Sequence, residues 1–401
     1  MSRTTAASSY AGSYARVRAP RPTVFDASSP VPARYLARLL DAELNHGMPA
    51  QRRLGRVLSA AGRHRLPTRL LGQVVRVRRR RPRPDLDDLL GQVAAAWPGL
   101  AARTDRLPPT PPLLRCALVE RSAVGMVFVF GEGELPLLVL KRALGERSLA
   151  GLQRERAALV ALAGHGLAPL HLGEVGGHWV QEALPGLPLR LSPVRPGNAP
   201  TLLRPAPFAD LDRALEGIAA LTARPGPPPE TLVALLGRAA AHPLSPTAGR
   251  AVASAIVELE RLGVTVLQHQ DVSAQNWIVD GQQLSGLIDW ETCSPTGTPG
   301  IDSVEAAVSV LEHGIALERW SDELVVEVFG PAWESSAYFE GTREATARAV
   351  QAAGLAAGLA EPFTVAYFAG RLGRKLAEPA SQSLGAGALA AMLETVARSF
   401  S

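Results

Sequence analysis

The chain has 401 residues, 47% of them hydrophobic and 20% charged, with a formal net charge of +5, a balance expected of a soluble globular protein. No uninterrupted apolar run reaches the ~18 residues of a membrane-spanning helix, and the first residues lack the apolar h-region of a secretory signal. Two cysteines, Cys116 and Cys293, make neither a disulfide framework nor a metal-ligand pattern, so the expectation is a cytoplasmic protein of two or three domains without a membrane partner.

Residues 1–33 are rich in Ser, Ala, Arg and Pro with little periodicity and read as a disordered tail. Residues 34–110 read as a basic helical extension of no assigned role, because "ARYLARLLDAEL" and "DLDDLLGQVAAAW" have helical spacing. Up to residue 110 the chain carries 20 Arg against 7 Asp and Glu, a net charge of about +13. The peak is "VVRVRRRRPRP" at 74–84. Such a run can anchor nucleic acid, but no aromatic side chains are interleaved there to stack on bases. A solvated, Arg-biased linker explains it as well, and nucleic acid is not an expected partner. "DRLPPTPPLL", 105–114, reads as a Pro-rich linker.

The texture then changes. "LLRCALVE", "AVGMVFVF" and "LPLLVLKRA" are strand-like, with turns at "RSAVG" and "GEGEL". "RSLAGLQRERAALVALAGHG", 147–166, is an amphipathic helix closed by Gly, and "LAPLHLGEV" and "HWVQEAL" supply two more strands. Residues 111–186 thus predict a sheet of about five strands with one inserted helix. From 187 to 401 helical segments dominate, among them "FADLDRALEGIAALTA" and "AGRAVASAIVELERLG". Residues 301–401 carry 7 basic against 13 acidic side chains, about −6. No internal repeat of 20–50 residues emerges.

Between these regions lies "HQDVSAQNWIVDGQQLSGLIDW", 269–290. Two short apolar runs, 277–279 and 284–288, flank Asp280-Gly281, which is hairpin-turn chemistry. Closing that hairpin brings Asn276, at the start of one strand, beside Asp289, at the end of the other, with Asp271 on the loop before them. A carboxylate, an amide oxygen and a second carboxylate suit a hard cation such as magnesium. The chain has only two lysines, Lys141 and Lys375, among 42 basic side chains, so the Lys141 in "LVLKRA" is an exception to its Arg bias.

A lysine on a β-lobe, a glutamate on the next helix, H-x-D-x-x-x-x-N and an Asp after a hairpin form a phosphotransfer layout. Residues 113 to about 330 resemble the aminoglycoside phosphotransferase and choline kinase family, small-molecule relatives of protein kinases. The matching pieces are "LVLKRA", "RERAALVALAGHGLAPLHL", "WVQEALPGLPL", "HQDVSAQNWIVD", "GLIDWE" and "GTPGID", while residues 1–110 have no counterpart. The resemblance implies an α+β, two-lobed, protein-kinase-like fold, with the β-rich lobe over 111–186 and the helical lobe over 187–401. It further implies an ATP- and Mg2+-dependent kinase that phosphorylates a hydroxyl of an amino sugar, sugar or amino alcohol.

The roles implied by the resemblance are specific. Lys141 contacts the α- and β-phosphates and Glu155 pairs with it. Asp271 takes or orients the hydroxyl proton, while Asn276 and Asp289 hold magnesium. Gly125 lies in the phosphate-covering turn, and the backbone of Glu182 and Leu184 at the hinge meets the adenine edge. His269 reads as structural, and Asp302 either braces the catalytic loop or caps the helix after it. Departures from the family pattern are the single glycine of "RSAVGMVF", Gln270 in place of the usual Gly, and "VSAQN" in place of "LHPGN". The alternative is a catalytically silent kinase-like module that binds nucleotide or protein. Oligomeric state is not encoded in any motif.

Overall fold

The computed structural model describes residues 24–27, 35, 84–120, 124–227, 230–316, 321–379 and 384–400. Apart from Tyr35, the helix expected from residue 34 and the Arg-rich run up to residue 83 lie outside them. The described residues build the expected α+β architecture of a β-rich lobe and a helical lobe.

The β-lobe is an antiparallel six-stranded sheet. In spatial order it runs β1 (Val24–Ala27), β2 (Arg115–Glu120), β3 (Val124–Phe130), β4 (Pro136–Ala143), β6 (His178–Glu182) and β5 (His171–Val175). Of the segment 1–33, expected as a disordered tail, the described residues are those of β1, where Val24 pairs with Glu120 and Ala27 with Ala117. Four residues, V-F-D-A, are too few for a period-two pattern to stand out from a Ser/Pro-rich background.

Strand periodicity divides the sheet into two apolar faces. Val127 and Val129 of β3, with Leu118, Leu138, Leu140 and Val180, meet helix α1 (Pro84–Ala101) through its stripe Leu86, Leu89, Val93, Trp97 and Leu100. Burying five such side chains at ~1.5–3 kcal/mol each makes this helix a layer of the β-lobe and not an appendage. The Trp97 indole N–H donates to the Pro108 carbonyl at 2.8 Å, which folds the Pro-rich segment back onto the lobe. Phe128 and Phe130 point to the opposite face, with Ala117, Val119 and Tyr35.

Helix α2 (Glu146–Ala161) follows β4 and buries Leu152, Glu155, Ala158 and Leu159. It ends before Gly164 and Gly166, both at positive φ, as the Gly-closed sequence predicts. The helical lobe comprises α3 (Pro207–Thr222), α4 (Glu230–Ala240), α5 (Pro246–Glu260), α6 (Ile301–Ala316), α7 (Asp322–Ser335), α8 (Ala337–Ala352), α9 (Ala360–Ala377) and α10 (Ala386–Ser399). Its core is aromatic, with Phe208, Trp277, Trp290, Phe329, Trp333, Phe339, Phe363 and Phe368 all fully buried. No helix among the described residues is long and apolar enough to cross a membrane.

Two small three-stranded sheets accompany the helices. The predicted hairpin is β10 (Trp277–Asp280) and β11 (Gln283–Leu287), and the two residues of β7 (Leu187–Pro188) pair with β10 on its other side. Gly186, at φ +114°, makes this crossing possible, because a Cβ there would stand 2.1 Å from the Val279 carbonyl oxygen. In the second sheet β9 (Val264–Gln268) lies between β8 (Arg224–Pro225) and β12 (Ser294–Gly297).

Candidate active site

Lys141 sits near the end of β4, opposite Met126 of β3 and Trp179 of β6. The residue is 8% exposed, and an ammonium so placed costs several kcal/mol unless it is paired. Glu155 of α2 pairs with it, Lys141 Nζ donating to Glu155 Oε1 at 2.6 Å. Across the cleft Asp289 Oδ1 lies 3.8 Å from the same ammonium. Burial pulls the Lys141 pKa down, but the two carboxylates more than reverse this and hold it above the ordinary lysine value. At Glu155 burial pushes the carboxyl up and the ammonium beside it pulls back.

The hairpin brings Asn276 and Asp289 together as expected. The Ile288 N–H donates to the Asn276 carbonyl at 3.0 Å, so the residues beside each carbonyl are locked at one end of the ladder. Asn276 Nδ2 donates to the Asp271 carbonyl at 2.9 Å. That bond ties the amide to the loop and leaves its Oδ1 as the acceptor side of the group. Asp289 is held in the left-handed region at φ +66°, an uncommon conformation for a residue with a side chain and one that concentrates at functional sites.

The loop carrying Asp271 is braced from below. Both backbone N–H groups before it donate to one carboxylate, His269 to Asp302 Oδ2 at 2.7 Å and Gln270 to Asp302 Oδ1 at 3.2 Å. Of the two roles open to Asp302 the geometry selects the brace. Burial pushes its carboxyl up to about 6, against the pull of these two N–H donors. Gln270 itself has φ +64°, the physical reason a glycine suits this position. His269 is fully buried, its Nε2 2.9 Å from the Ile288 carbonyl and its ring 4.3 Å from that of Trp290. Burial drives its pKa down to about 4, so it stays neutral and structural.

Lys141, Asn276 and Asp289 line one end of a cavity of about 140 Å3. Met126, Phe128 and Val139 wall it from the sheet, Ile278 and Ile288 from the hairpin side, and Leu184 from the hinge. Glu155 stands behind Lys141, and the half-buried Asp271 lies beside the cavity and not on its lining. The Asp271 charge is nonetheless felt at Glu291 and Glu305. Gly125 lies in β3 opposite Arg142, away from the lining, and residues 121–123 of its turn lie outside the described residues.

At the hinge the Glu182 N–H donates to the Leu170 carbonyl and the Ala183 N–H to the Leu137 carbonyl, both at 3.0 Å. The expected use of the Glu182 backbone is therefore narrowed to its carbonyl. Its buried carboxylate is fully engaged, accepting from Thr104 Oγ1 at 3.0 Å and from the Leu170 N–H at 3.1 Å.

Two lining residues, Val139 and Tyr35, and the nearby Glu291 escaped sequence reasoning. Val139, two before Lys141 on the same strand face, follows from strand alternation. Glu291 follows Asp289 by two residues, and its carboxyl is pushed up to about 7, first by the Asp289 charge and then by burial. Tyr35 carries no signal, since nothing in its segment marks it as reaching the cleft.

The donor set can be tested against a magnesium ion. Among the described residues no cluster of three or more His, Cys, Asp or Glu is arranged to hold a metal. Magnesium, however, is usually held by one or two carboxylates together with substrate phosphates and water. Asp289, 39% exposed and facing the cavity, with the Asn276 amide oxygen, meets that pattern. The raised Glu291 pKa marks a negative potential that a cation beside Asp289 would relieve. The residues fit the ion.

Residues 126–304 match the model of the phosphotransferase enzyme family, which bears out the resemblance read from the sequence. No curated protein matches the chain. Among solved structures, the macrolide 2'-phosphotransferase of Brachybacterium faecium is 17% identical, with 69% of this chain and 91% of that chain covered at a TM-score of 0.39. The choline kinase of Cryptosporidium parvum Iowa II is 10% identical, covering 72% and 88% at a TM-score of 0.37. The Plasmodium vivax ethanolamine kinase is 13% identical, covering 80% and 96% at a TM-score of 0.37.

Proposed function

We propose that this protein is an ATP-dependent phosphotransferase that moves the γ-phosphoryl group to a hydroxyl of a small molecule. The observation that carries this reading is the meeting of Lys141, Asn276 and Asp289 at one end of a single cavity, with Glu155 fixing the lysine at 2.6 Å. A cation flanked by a carboxylate and an amide oxygen is a receptor for a polyphosphate and its counter-ion. The apolar remainder of the cavity suits a base.

In this reading Lys141 orients the α- and β-phosphates. Asn276 and Asp289 would hold a magnesium ion, whose charge would offset that of the phosphates. Asp271, on the loop braced by Asp302, accepts the proton of the acceptor hydroxyl as its oxygen bonds to the γ-phosphorus and the bond to the β-phosphate oxygen breaks. ADP is the leaving group. Preorganised charge and positioning supply the rate, since phosphoryl transfer asks little covalent chemistry of the protein.

Acceptor class follows from charge. The Asp271 charge helps raise both Glu291 and Glu305, after the Asp289 charge and burial at the first and after burial and the Asp302 charge at the second, so each of these carboxylates is repelled by Asp271. An acceptor bearing an amino group relieves that repulsion, which favours amino sugars and amino alcohols over neutral sugars.

The test is ADP release with Mg2+ and ATP across a panel of aminoglycosides, amino alcohols and sugars. Turnover is expected with at least one amino-bearing acceptor. Asp271→Asn should lower it by ~10²–10⁴ while the ATP-induced thermal shift persists. Unchanged turnover in Asp271→Asn overturns the assignment of the base, and no ADP release with any acceptor overturns the enzyme reading.

A further inference from the structure

The cavity has a charged end and an aromatic end, and the strand register orders them. Along β3 and β4 the facing pairs are Met126 with Lys141, Phe128 with Val139, and Phe130 with Pro136. Lys141 therefore marks one end of the cleft, and Phe128 with Pro136 the other. At that second end stands Tyr35, which lines the same cavity as Lys141 and Asp289. Its ring centroid lies 5.5 Å from that of Phe128 at 53° and 5.5 Å from that of Phe130 at 69°. Tilted and edge-on contacts at this separation are favourable aromatic geometry. Only 7% of the residue is exposed, so the ring is seated in the lobe.

Tyr35 lies outside the 126–304 segment that matches the family model. It belongs to the N-terminal part of the chain, for which the sequence suggested no role. The same part meets the β-lobe twice more. Strand β1 extends the sheet beside β2, and Thr104 holds the carboxylate of the hinge residue Glu182.

We propose that Tyr35 forms the outer wall of the nucleotide cavity and determines how tightly the base of a nucleotide is held. This rests on the nucleotide reading of the Lys141 end. With phosphates drawn to Lys141, the base extends along β4 past Val139 toward Phe128 and Tyr35. There an aromatic ring already fixed by two others presents an apolar surface without ordering cost. The N-terminal extension is then a component of the nucleotide site and not a separate module.

The test uses the full chain and Mg·ATP, with dissociation constants from titration calorimetry for the wild type, Tyr35→Ala and Tyr35→Phe. Removal of an aromatic group that meets a base weakens binding by roughly 5- to 100-fold, so Tyr35→Ala should lose about tenfold. Tyr35→Phe, which keeps the ring, should recover most of the loss. An affinity for Tyr35→Ala within twofold of wild type overturns the proposal. So does tighter binding, the sign of a ring that plugs the site, or an equal loss in Tyr35→Phe. Should Tyr35→Ala not fold, Tyr35→Leu takes its place with the same expected outcomes. A wild type that binds no ATP instead removes the nucleotide reading itself, a result distinct from any difference among the variants.

Discussion

The Lys141 ammonium stands 3.8 Å from the Asp289 carboxylate, although one belongs to the β-lobe and the other to the end of the hairpin. Between them these residues carry the charged end of the cleft, and Glu155 sets the direction of the first at 2.6 Å. Opposite charges from separate lobes meeting over one cavity are what a phosphate-binding cleft requires, and each partner's removal has a distinct consequence.

Lys141→Met leaves Glu155 buried without its cation. Breaking such a pair costs ~3–5 kcal/mol when the remaining group stays charged. Glu155 can escape by taking up a proton, because burial already pushes its carboxyl upward. A folded-state pKa above the unfolded one gives stability that is present below the unfolded value and lost as pH rises through the folded value. Lys141→Met should therefore be destabilised more at pH 8 than at pH 5. Denaturant titrations at the two pH values measure this; an equal loss at both contradicts the assignment of Glu155 as the buried partner.

Gln270→Gly relieves a left-handed residue at φ +64°. That conformation costs a side-chain-bearing residue ~1–2 kcal/mol, and the extra unfolded-state entropy of glycine returns ~0.4–1. A net stabilisation of about 1 kcal/mol is expected. The Gln270 N–H bond to Asp302 is a backbone bond and survives the change. The midpoint of chemical denaturation reads the outcome, and a lowered midpoint would show that the Gln270 side chain contributes more than its strain costs.

Asp302→Asn replaces one of two acceptor oxygens by a donor, so it loses either the His269 or the Gln270 N–H bond. The loop carrying Asp271 loosens, and kcat should fall by ~10–100-fold with a smaller change in the ATP KM, as for loss of geometry at the reacting end. Because burial holds the Asp302 carboxyl up at about 6, its contribution to stability is present below its unfolded value and lost as pH rises through 6. The stability gap between wild type and variant should thus narrow from pH 4 to pH 7, as seen in parallel melts.

Much of this was legible because the chemistry is local. Asn276 and Asp289 flank one hairpin, and Asp-Gly with two apolar runs predicts that hairpin without reference to the rest of the chain. Lys141 stood out because the chain otherwise uses Arg. Helices α2, α3 and α5 were read to within a few residues, since amphipathic spacing is strong over 15 or 16 residues. What sequence could not show is long-range. Strand β1 has four residues and acquires its meaning only by pairing with β2. The side-chain bond from Thr104 to Glu182 spans 78 positions, and Tyr35 lies beside Phe128 with no periodicity to announce it. Helix α1 was predicted, but its packing on the sheet depends on a face that many surfaces could have matched.

Asp289→Asn tests the metal reading and the charge balance together. Saturating ATP at ~100 times its dissociation constant adds ~2.7 kcal/mol of stability; in the variant the part of this gain that depends on Mg2+ should disappear, while the effect of ATP alone stays. Removing the Asp289 charge also removes the first cause of the raised Glu291 pKa, which stands at about 7 in the intact protein. In the wild type Glu291 contributes stability that is present below its unfolded value and lost as pH rises through 7, so the protein should weaken between pH 6 and pH 8. In Asp289→Asn the Glu291 carboxyl returns toward the ordinary carboxylate range, and that loss moves below pH 6. Melting temperatures at pH 6 and pH 8, with and without Mg·ATP, decide both points. An identical pH slope in the two proteins would mean that Glu291 is raised by burial alone and that Asp289 does not dominate the charge of the cleft.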